Sequence, residues 1–257
     1  TKNIILAGKK LKVIARAGAG VDNIDVAVAK EKNMLVMNTP GGNTNATAEH
    51  ALALIMSVLR KIPYANDTTH KGKWEKKNIK GAELSKKTLG IVGFGNVGAR
   101  LSNLVKGFEV NILVSSKSLE SRQKDFPHVK NVSFDELISA SDIISFHCKS
   151  APDGKPIINK EHYKKMKPST FIINTARGNI VDEKDLNAAL NGNLIAGAAL
   201  DVYSKEPAKE NILFNNPKVI LTPHVAASTA EASIVVAEMA ANQISNFLLK
   251  GNKINAV

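Results

Sequence analysis

The chain of 257 residues is poor in cysteine, in aromatic residues and in long apolar runs, and each shortage argues against a class of protein. Its one cysteine, Cys148, cannot form an internal disulfide, which fits a reducing compartment. No run reaches the roughly 20 apolar residues that a membrane span needs. The N-terminus also lacks the apolar segment and cleavage site of a signal peptide. We therefore expect a cytoplasmic protein without a membrane partner.

Acidic residues are also few, with 23 against 35 Lys and Arg, which gives a formal net charge of +12. A basic balance can serve nucleic acid, an anionic membrane face or small anionic ligands. Aromatic residues make up only 5% of the chain, and no basic stripe is interleaved with aromatics that could stack on bases. We expect a lysine-rich solvated surface that attracts a small anionic substrate, with no nucleic-acid partner and no metal site.

The strongest motif lies in residues 88–98, where an apolar run is followed by Gly93-x-Gly95-x-x-Gly98 and then by a helical pattern over 96–106. The first glycine allows a tight turn, the second lets the backbone approach phosphates, and the third lets the helix pack on the strand. The helix then presents free N–H groups and a positive dipole end to an anion. This context predicts a binding site for the pyrophosphate of a dinucleotide.

Apolar runs and helical patterns alternate after this turn. The predicted strands are residues 110–114, 143–147, 171–174, 194–200 and 219–222. Fully apolar strands in β-α-β-α order are typical of parallel sheets with helices on both faces. The sequence therefore predicts an α/β fold with a Rossmann-type doubly wound parallel sheet.

Further patterns predict helix limits. A helix is expected over 45–62, closed by Pro63 and apolar on more than one side, which indicates a partner subunit and hence a homodimer. A short helix is expected over 118–124. A Ser228-x-x-Glu231 capping box is expected to begin a last helix that ends at Gly251.

The predicted domain organisation has three segments. Residues 1–42 form a partial substrate-binding domain, residues 43–224 the dinucleotide-binding Rossmann domain, and residues 225–257 a C-terminal helix that returns to the substrate domain. The second domain is thus incomplete and built from both chain ends. Because the chain opens without a leading strand-and-turn unit and without methionine, we expect that an upstream segment is absent.

Three charged residues follow predicted strands: Arg177, Glu206 and His224. Each has an ordinary alternative, namely a salt bridge, a loop charge and a structural imidazole. Open α/β sheets bind ligands at the carboxyl ends of their strands, so the three are expected to meet there. Arginine can hold a carboxylate in two hydrogen bonds, and histidine can exchange a proton with a hydroxyl while a carboxylate orients its ring. Together they predict a site for hydride transfer.

Six motifs in this order resemble those of the D-2-hydroxyacid dehydrogenases. They are residues 16–25, 38–43, 93–98, 174–178, 199–207 and 222–229. The resemblance implies that Arg177, Glu206 and His224 are catalytic. It implies a substrate site formed by Arg16, Ala17, Gly18, Arg177 and His224. With the glycine turn, the expected cofactor contacts are Gly93, Gly95, Asn96, Val97, Gly98, Ser115, Ser116, Lys117, Cys148, Thr175, Ala176 and Asp201.

Within the family, residues 72–77 and 81–84 are similar to those of the D-3-phosphoglycerate dehydrogenases, which implies 3-phosphoglycerate as substrate and a place in serine synthesis. The chain ends where the catalytic core of those enzymes ends, so no serine-sensing regulatory domain is expected. Reduction of hydroxypyruvate or glyoxylate by the same trio stays open. A dinucleotide-sensing, corepressor-like binding protein is the alternative of another class.

The cofactor stays open between NAD and NADP. Where NAD users of the family carry an aspartate that binds the ribose 2′-hydroxyl, this chain has Ser116. Ser115, Ser116 and Lys117 could instead hold a 2′-phosphate, so this position favours NADP. His147 and Cys148 stand where the family has apolar and proline residues near the adenine.

Overall fold

A computed structural model describes residues 1–257, which divide into two compact units. One unit combines Thr1–Ala46 with Ala227–Val257, and the other is Thr47–Ala226. None of the helices has the length and apolar character needed to cross a membrane. The assignment of these units to substrate and cofactor binding stays a prediction.

The helices and strands alternate along most of the chain. In chain order they are α1 (Lys2–Ala7), β1 (Val13–Ala15), α2 (Val26–Glu31), β2 (Leu35–Met37), α3 (Thr44–Arg60), α4 (Ile62–His70), β3 (Thr88–Val92), α5 (Asn96–Leu104), β4 (Asn111–Ser115), α6 (Lys117–Glu120), β5 (Val129–Asn131), α7 (Phe134–Ala140), β6 (Ile143–Phe146), α8 (Lys160–Tyr163), β7 (Phe171–Asn174), α9 (Glu183–Asn191), β8 (Gly197–Leu200), β9 (Val219–Leu221) and α10 (Ala230–Lys250).

The smaller unit is a parallel β1–β2 pair connected by α2, with Val13 opposite Leu35. Helix α10 packs on β1, so the C-terminal part of the chain completes this unit. The chain end continues along β2, where the Val257 amide donates to the Val36 carbonyl at 2.9 Å. The core is a small apolar cluster of Ile5, Val28, Ala29, Met34 and Val36.

The larger unit contains a parallel seven-stranded sheet in the order β5-β4-β3-β6-β7-β8-β9. The strand order reverses at β3, so the carboxyl ends of β4 and β6 flank the end of β3. Ligands of open α/β sheets bind at such a switch point. The predicted fold class is confirmed, and the glycine motif lies at this point.

Both faces of this sheet are buried, as the apolar strands predicted. Successive side chains of a strand point to opposite faces. Ile143 packs into the cluster that includes α3 and α5, whereas its neighbour Ile144 packs into the cluster that includes α7, α8 and α9. Burying each such side chain is worth about 1.5–3 kcal/mol. The two clusters thereby fix β6 and β7, and hence the loops that follow them.

Two predicted helix limits are wrong. Helix α3 ends at Arg60, and Pro63 lies in the first turn of α4, where the missing N–H of proline is not needed. Helix α10 is capped by Thr229, whose side chain accepts a hydrogen bond from the Ala232 amide at 3.1 Å. The capping-box prediction at Ser228 is therefore one residue early, because the adjacent hydroxyl residue, Thr229, caps the helix instead.

The edge of the sheet beyond β4 also differs from the prediction. The helix expected over 118–124 is the four-residue α6 followed by a 3-10 turn at Gln123–Asp125. Strand β5 was not predicted, because it is short, lies at the sheet edge and has exposed Lys130 in its middle. Such a strand lacks the apolar run that marks the inner strands.

Candidate active site

The glycine turn between β3 and α5 uses its glycines for different reasons. Gly93 has a φ of +90°, and a Cβ there would lie 2.8 Å from the backbone of Cys148. A Cβ on Gly98 would overlap the carbonyl oxygen of Gly93. Both glycines are therefore required by the fold itself. A Cβ on Gly95, in contrast, would meet no protein atom within 4 Å, and Gly95 caps α5 without any side-chain bond.

The end of β4 carries a short chain of hydroxyl groups. The Oγ atoms of Ser116 and Ser118 are 2.9 Å apart, and Ser118 Oγ donates to the carbonyl of Phe94 at 3.0 Å. Phe94 belongs to the glycine turn. The predicted residues Ser115, Ser116 and Lys117 thus stand at the switch point, adjoining the turn.

Arg122 joins this region and was not predicted from the sequence. Its guanidinium donates to the Phe94 carbonyl at 3.4 Å and lies 5.0 Å from the centroid of the Phe126 ring. The signal that could have found it is a cation in the same β4-to-β5 connection as Ser116, six residues further along the chain. Stacking on Phe126 holds the planar group beside the serine hydroxyls.

The residues after β6 are half-buried titratable groups. Burial lowers the pKa of His147 to about 4 and raises the pKa of the Cys148 thiol to about 11. His147 Nε2 lies 2.8 Å from Ser145 Oγ, so the neutral ring has a hydrogen-bond partner. Cys148 lies against Gly93 and stays protonated at neutral pH, so it is a packing residue of the turn and not a nucleophile.

We expect the neutral His147 to make the protein sensitive to mild acid. Above pH 6.5 its contribution to stability is complete; between pH 6.5 and 4 only the unfolded chain binds its proton, so the free energy of unfolding falls. The loss approaches about 3 kcal/mol near pH 4. Urea unfolding of the cofactor-free protein at pH 7, 5.5 and 4.5 measures it. The His147→Gln variant should show a flatter pH dependence; a dependence identical to the wild type would contradict a neutral His147 in the folded protein.

The loop after β7 is organised by Asn174. Its side chain accepts a hydrogen bond from the Ala176 amide at 3.0 Å and donates to the Arg177 carbonyl at 2.9 Å. Arg177 NH1 donates to the Ala176 carbonyl at 2.7 Å. Thr175 Oγ1 is buried without any hydrogen-bond partner in the protein. The predicted residues Thr175, Ala176 and Arg177 therefore lie in one ordered loop that contains an unsatisfied hydroxyl group.

Gly178 joins this loop to the one that carries Glu206. A Cβ on Gly178 would overlap the carbonyl group of Tyr203 and the amide nitrogen of Ser204. The two loops thus pack backbone against backbone. The position of Arg177 is coupled in this way to the segment leading to Glu206.

Glu206 and His224 form a direct pair, with 2.6 Å between Glu206 Oε2 and His224 Nδ1. The other carboxylate oxygen, Oε1, accepts a hydrogen bond from the Tyr203 amide at 3.0 Å. The side chain of His224 is 54% exposed, so the ring remains accessible while one nitrogen is held. A carboxylate on Nδ1 orients the imidazole and leaves Nε2 for chemistry.

His224 adopts a φ of +55°, in the left-handed region. For a residue other than glycine this conformation costs about 1 kcal/mol or more, and it persists only where surrounding contacts determine it. A cavity of about 570 Å³ borders the pair and is lined in part by Phe214, Leu221 and Pro223.

Asp201, predicted as a cofactor contact, is completely buried at the end of β8. Its carboxylate accepts hydrogen bonds from Thr222 Oγ1 at 2.6 Å, from the Val225 amide at 2.9 Å and from the Ala226 amide at 2.8 Å. Burial acts to raise its pKa, but these bonds, together with His50, outweigh it, so the pKa of Asp201 is lowered. Asp201 is therefore ionised at neutral pH.

His50, on α3, also belongs to this network and was not predicted. Its Nε2 lies 3.2 Å from Thr222 Oγ1 and 3.5 Å from Asp201 Oδ1. Because the Thr222 hydroxyl already donates to Asp201, we assign the proton to His50 Nε2, which then donates to Thr222. A histidine inside an apolar helix pattern gives no sequence signal for this contact.

Arg16, Ala17 and Gly18, predicted to contact the substrate, lie in the smaller unit. The Gly18 amide donates to Thr39 Oγ1 at 2.7 Å, and Arg16 NH1 donates to the Gly20 carbonyl at 2.6 Å. The N–H of Gly18 is thus used within the loop. The substrate role of the three residues stays a prediction.

The larger unit has a parallel doubly wound sheet, a glycine turn at the switch point of that sheet and a His–Glu pair at the same edge. These features define the class of dinucleotide-binding α/β proteins built for dehydrogenase chemistry. Residues 52–226 match the family described as "D-isomer specific 2-hydroxyacid dehydrogenase, NAD binding domain". The chain belongs to this family.

Named relatives and a solved structure agree with that membership. D-3-phosphoglycerate dehydrogenase from Archaeoglobus fulgidus is 43% identical over 99% of this chain, and the match covers 48% of that protein. Hydroxypyruvate reductase from Thermotoga maritima is 43% identical over 90% of this chain and is covered to 76%. A glyoxylate reductase structure from Paecilomyes thermophila is 35% identical to this chain and superposes with a TM-score of 0.90. The match covers 100% of this chain and 78% of that chain. The chain thus spans about half the length of the curated phosphoglycerate dehydrogenase relative.

Proposed function

We propose that this chain is the catalytic region of an NAD(P)-dependent D-2-hydroxyacid dehydrogenase that acts on 3-phosphoglycerate. The observation that carries the proposal is the 2.6 Å contact between Glu206 and His224 at the sheet edge where Arg177 also lies. The relatives named D-3-phosphoglycerate dehydrogenase support the substrate.

The residues at the switch point fit a dinucleotide. Gly95 lies at the N-terminus of α5, and a Cβ built on it would meet no protein atom within 4 Å. A phosphate can therefore approach the backbone at this helix end. Thr175 supplies a buried hydroxyl that lacks a protein partner. Asn96 and Val97, in the first turn of α5, would hold the pyrophosphate with their backbone. When bound, the nicotinamide accepts or returns the hydrogen of the substrate carbon together with its two electrons.

The chain's own residues provide the remaining steps. Arg177 would bind the substrate carboxylate through its planar guanidinium. Nε2 of His224 would take the proton of the substrate hydroxyl during oxidation, or return it during reduction. Glu206, on Nδ1, fixes the ring and stabilises the imidazolium that forms. No metal is required, because the guanidinium supplies the positive charge beside the carbonyl.

Steady-state kinetics with the complete protein test this proposal. We would compare 3-phosphoglycerate, hydroxypyruvate and glyoxylate, each with both cofactors. The proposal expects the highest kcat/KM for the phosphorylated substrate. Hydroxypyruvate reductase is the second candidate, because the Thermotoga maritima relative is covered to 76% by this chain. Turnover of hydroxypyruvate without turnover of 3-phosphoglycerate would favour it, and no turnover with any of them would favour a binding protein.

We further propose that the cofactor preference is for NADP. Ser116 offers no carboxylate to the ribose, and the Ser116 and Ser118 hydroxyls lie beside the Arg122 guanidinium near the Phe94 carbonyl. Hydroxyl and guanidinium donors suit a 2′-phosphate, whereas a 2′-hydroxyl needs an acceptor. Lys117, exposed at the start of α6, would add a positive charge.

Exchanging these groups should reverse the preference. The Ser116→Asp, Arg122→Ala variant loses one charged donor and gains an acceptor, each worth about 1.5–3 kcal/mol. The ratio of kcat/KM with NADP to that with NAD should therefore fall by about 100-fold or more. Lys124→Ala, which removes an exposed cation of the same segment, is the matched control and should leave the ratio unchanged. An unchanged ratio in the double variant would refute the assignment.

We also propose that the protein forms a homodimer. Large apolar side chains are exposed on the larger unit, with Ile62 53%, Tyr64 48% and Trp74 83% accessible, and the first two lie on α4. Such a group of side chains is typical of an interface between subunits. Light scattering during gel filtration should give twice the chain mass, and Trp74→Lys should shift the species toward the monomer. A monomeric wild type would contradict the dimer.

A cytoplasmic location is also part of the proposal.

A further inference from the structure

The segment that carries Glu206, residues 204–211, has little backbone structure of its own. Most of its residues are exposed. None of residues 202–210 makes a backbone–backbone hydrogen bond. Parts of a protein with few such bonds and few buried contacts are the ones that open most easily. The position of the Glu206 carboxylate therefore depends on side chains that hold this segment from outside.

Glu183 binds the segment on both sides of Glu206. Its Oε1 atom accepts a hydrogen bond from the Ser204 amide at 2.8 Å, and its Oε2 atom accepts one from the Ser204 hydroxyl at 2.8 Å. Oε2 also accepts a hydrogen bond from the side-chain amide of Asn211 at 3.0 Å. One carboxylate thus joins the two ends of the Glu206 segment. Hydrogen bonds to a carboxylate of this kind are stronger than bonds between neutral groups.

Both ends of the segment are fixed where Glu183 meets them. Asn211 accepts a hydrogen bond from the Leu213 amide at 2.9 Å, and the side chain of Leu213 is completely buried in the apolar cluster on one face of the sheet. The amide nitrogen of Ser204 lies against Gly178, where a Cβ would overlap it. The contacts of Glu183 are therefore made to backbone that is itself held in place.

Glu183 also stands on a rigid support. It is the first residue of α9, and the side chain of Asp182 caps that helix by accepting two amides of its first turn at 2.9 Å. The two residues before the cap, Ile180 and Val181, are buried. A negative charge in the first turn of a helix is favoured by the helix dipole. The carboxylate thus lies six residues after Arg177, on a segment that packing and capping hold in place.

We propose that Glu183 is a positioning residue for the proton transfer. By joining the two ends of the Glu206 segment, it keeps the Glu206 carboxylate at 2.6 Å from Nδ1 of His224. Its hydrogen bonds go to the segment, so it acts through Glu206. This inference rests on the proposed function, because it takes His224 as the group that transfers the proton and Glu206 as the group that orients it.

Glu183→Ala removes all three hydrogen bonds and frees the Glu206 segment. Because a displacement of about 1 Å can cost about 100-fold in rate, we expect kcat to fall by about 10- to 100-fold. The cofactor Kd, from fluorescence titration with NADH and NADPH, should stay that of the wild type, since the glycine turn is untouched. Glu183→Gln keeps an acceptor for the Ser204 amide, so its kcat should fall by only about 2- to 5-fold. A raised cofactor Kd with kcat retained in Glu183→Ala would overturn the proposal.

An exchange of donor and acceptor tests the contact with Asn211 directly. Asn211→Asp keeps the oxygen that accepts from the Leu213 amide but sets a second carboxylate against Glu183. The repulsion between like charges should lower kcat by about 5- to 30-fold. When Glu183→Gln is added, its Nε2 can donate to that second carboxylate, so kcat should recover to the level of Glu183→Gln alone. A double variant with no recovery would overturn the proposal.

Asp185 is the matched control for general stability. It lies in the same first turn of α9, and its carboxylate accepts a hydrogen bond from the Lys160 amide at 2.9 Å, at the start of α8 and not in the Glu206 segment. Asp185→Ala should lower the melting temperature, as Glu183→Ala does, but leave kcat unchanged. An equal fall in kcat for the two variants would mean that only the stability of α9 matters, and would overturn the proposal.

Nitrogen-15 NMR of the imidazoles gives a readout that does not need turnover. In the wild type the Nδ1 signal of His224 should show its hydrogen bond to Glu206. In Glu183→Ala that signal should move toward the signal of the exposed His70, and in Asp185→Ala it should not move. An unmoved signal in Glu183→Ala would overturn the proposal. If the wild type turned over none of the acids, the proposed function would fail, but a moved signal would still support the role of Glu183 in holding the pair together.

Discussion

Replacing His224 by asparagine is expected to lower kcat by about 10²- to 10⁴-fold, the usual contribution of a general acid–base group. The variant removes the imidazole that exchanges the proton in the proposed reaction. Asparagine tolerates the left-handed φ of this position better than most residues, so the loop should keep its conformation. Stopped-flow and steady-state rates with the best substrate measure the loss.

The same variant should bind the cofactor as the wild type does, because the glycine turn at β3 is untouched. His70→Asn is the matched control: His70 is an exposed histidine at the end of α4, and its replacement should leave kcat within twofold. A His224→Asn enzyme with near-normal kcat would show that the Glu206–His224 pair does not transfer the proton. A cellular function that His224→Asn leaves unchanged would instead favour the binding-protein alternative.

The sequence was sufficient for the parts of the fold that repeat a simple pattern. The inner strands of the sheet are continuous apolar runs because both faces are covered, and the glycine turn has a spacing that only a close strand–helix connection requires. Arg177, Glu206 and His224 could be proposed together since parallel strands place their following loops at one edge. Their chemical roles stay predictions.

Contacts made by ordinary residues could not be predicted. His50 lies in a helix whose pattern is explained by packing, and its contact with Thr222 depends on how α3 lies against the sheet. Arg122 is one cation among the 35 Lys and Arg, and only the fold places it over Phe126 beside the glycine turn. Asp201 could be associated with the site, but its hydrogen bonds to two loop amides become visible only in the structure.

Gly178→Ala should be the most damaging substitution at a residue with no reactive group. The added methyl group would overlap the Tyr203 carbonyl and the Ser204 amide, neither of which can turn away as a side chain can. The two loops must separate, and Arg177 then moves relative to Glu206 and His224. A displacement of about 1 Å can cost about 100-fold in rate, so kcat/KM should fall by 100-fold or more. Overpacking should also cost about 1–3 kcal/mol in stability.

Gly107→Ala is the control for this substitution, because a Cβ there meets nothing within 4 Å and Gly107 lies in the 3-10 turn Lys106–Phe108. It should leave kcat/KM and the free energy of unfolding unchanged to within a few tenths of a kcal/mol. If Gly178→Ala lowers stability but not kcat/KM, the packing of the two loops serves folding alone. If kcat/KM falls while the cofactor Kd stays constant, that backbone contact holds the arginine and the His–Glu pair in one arrangement.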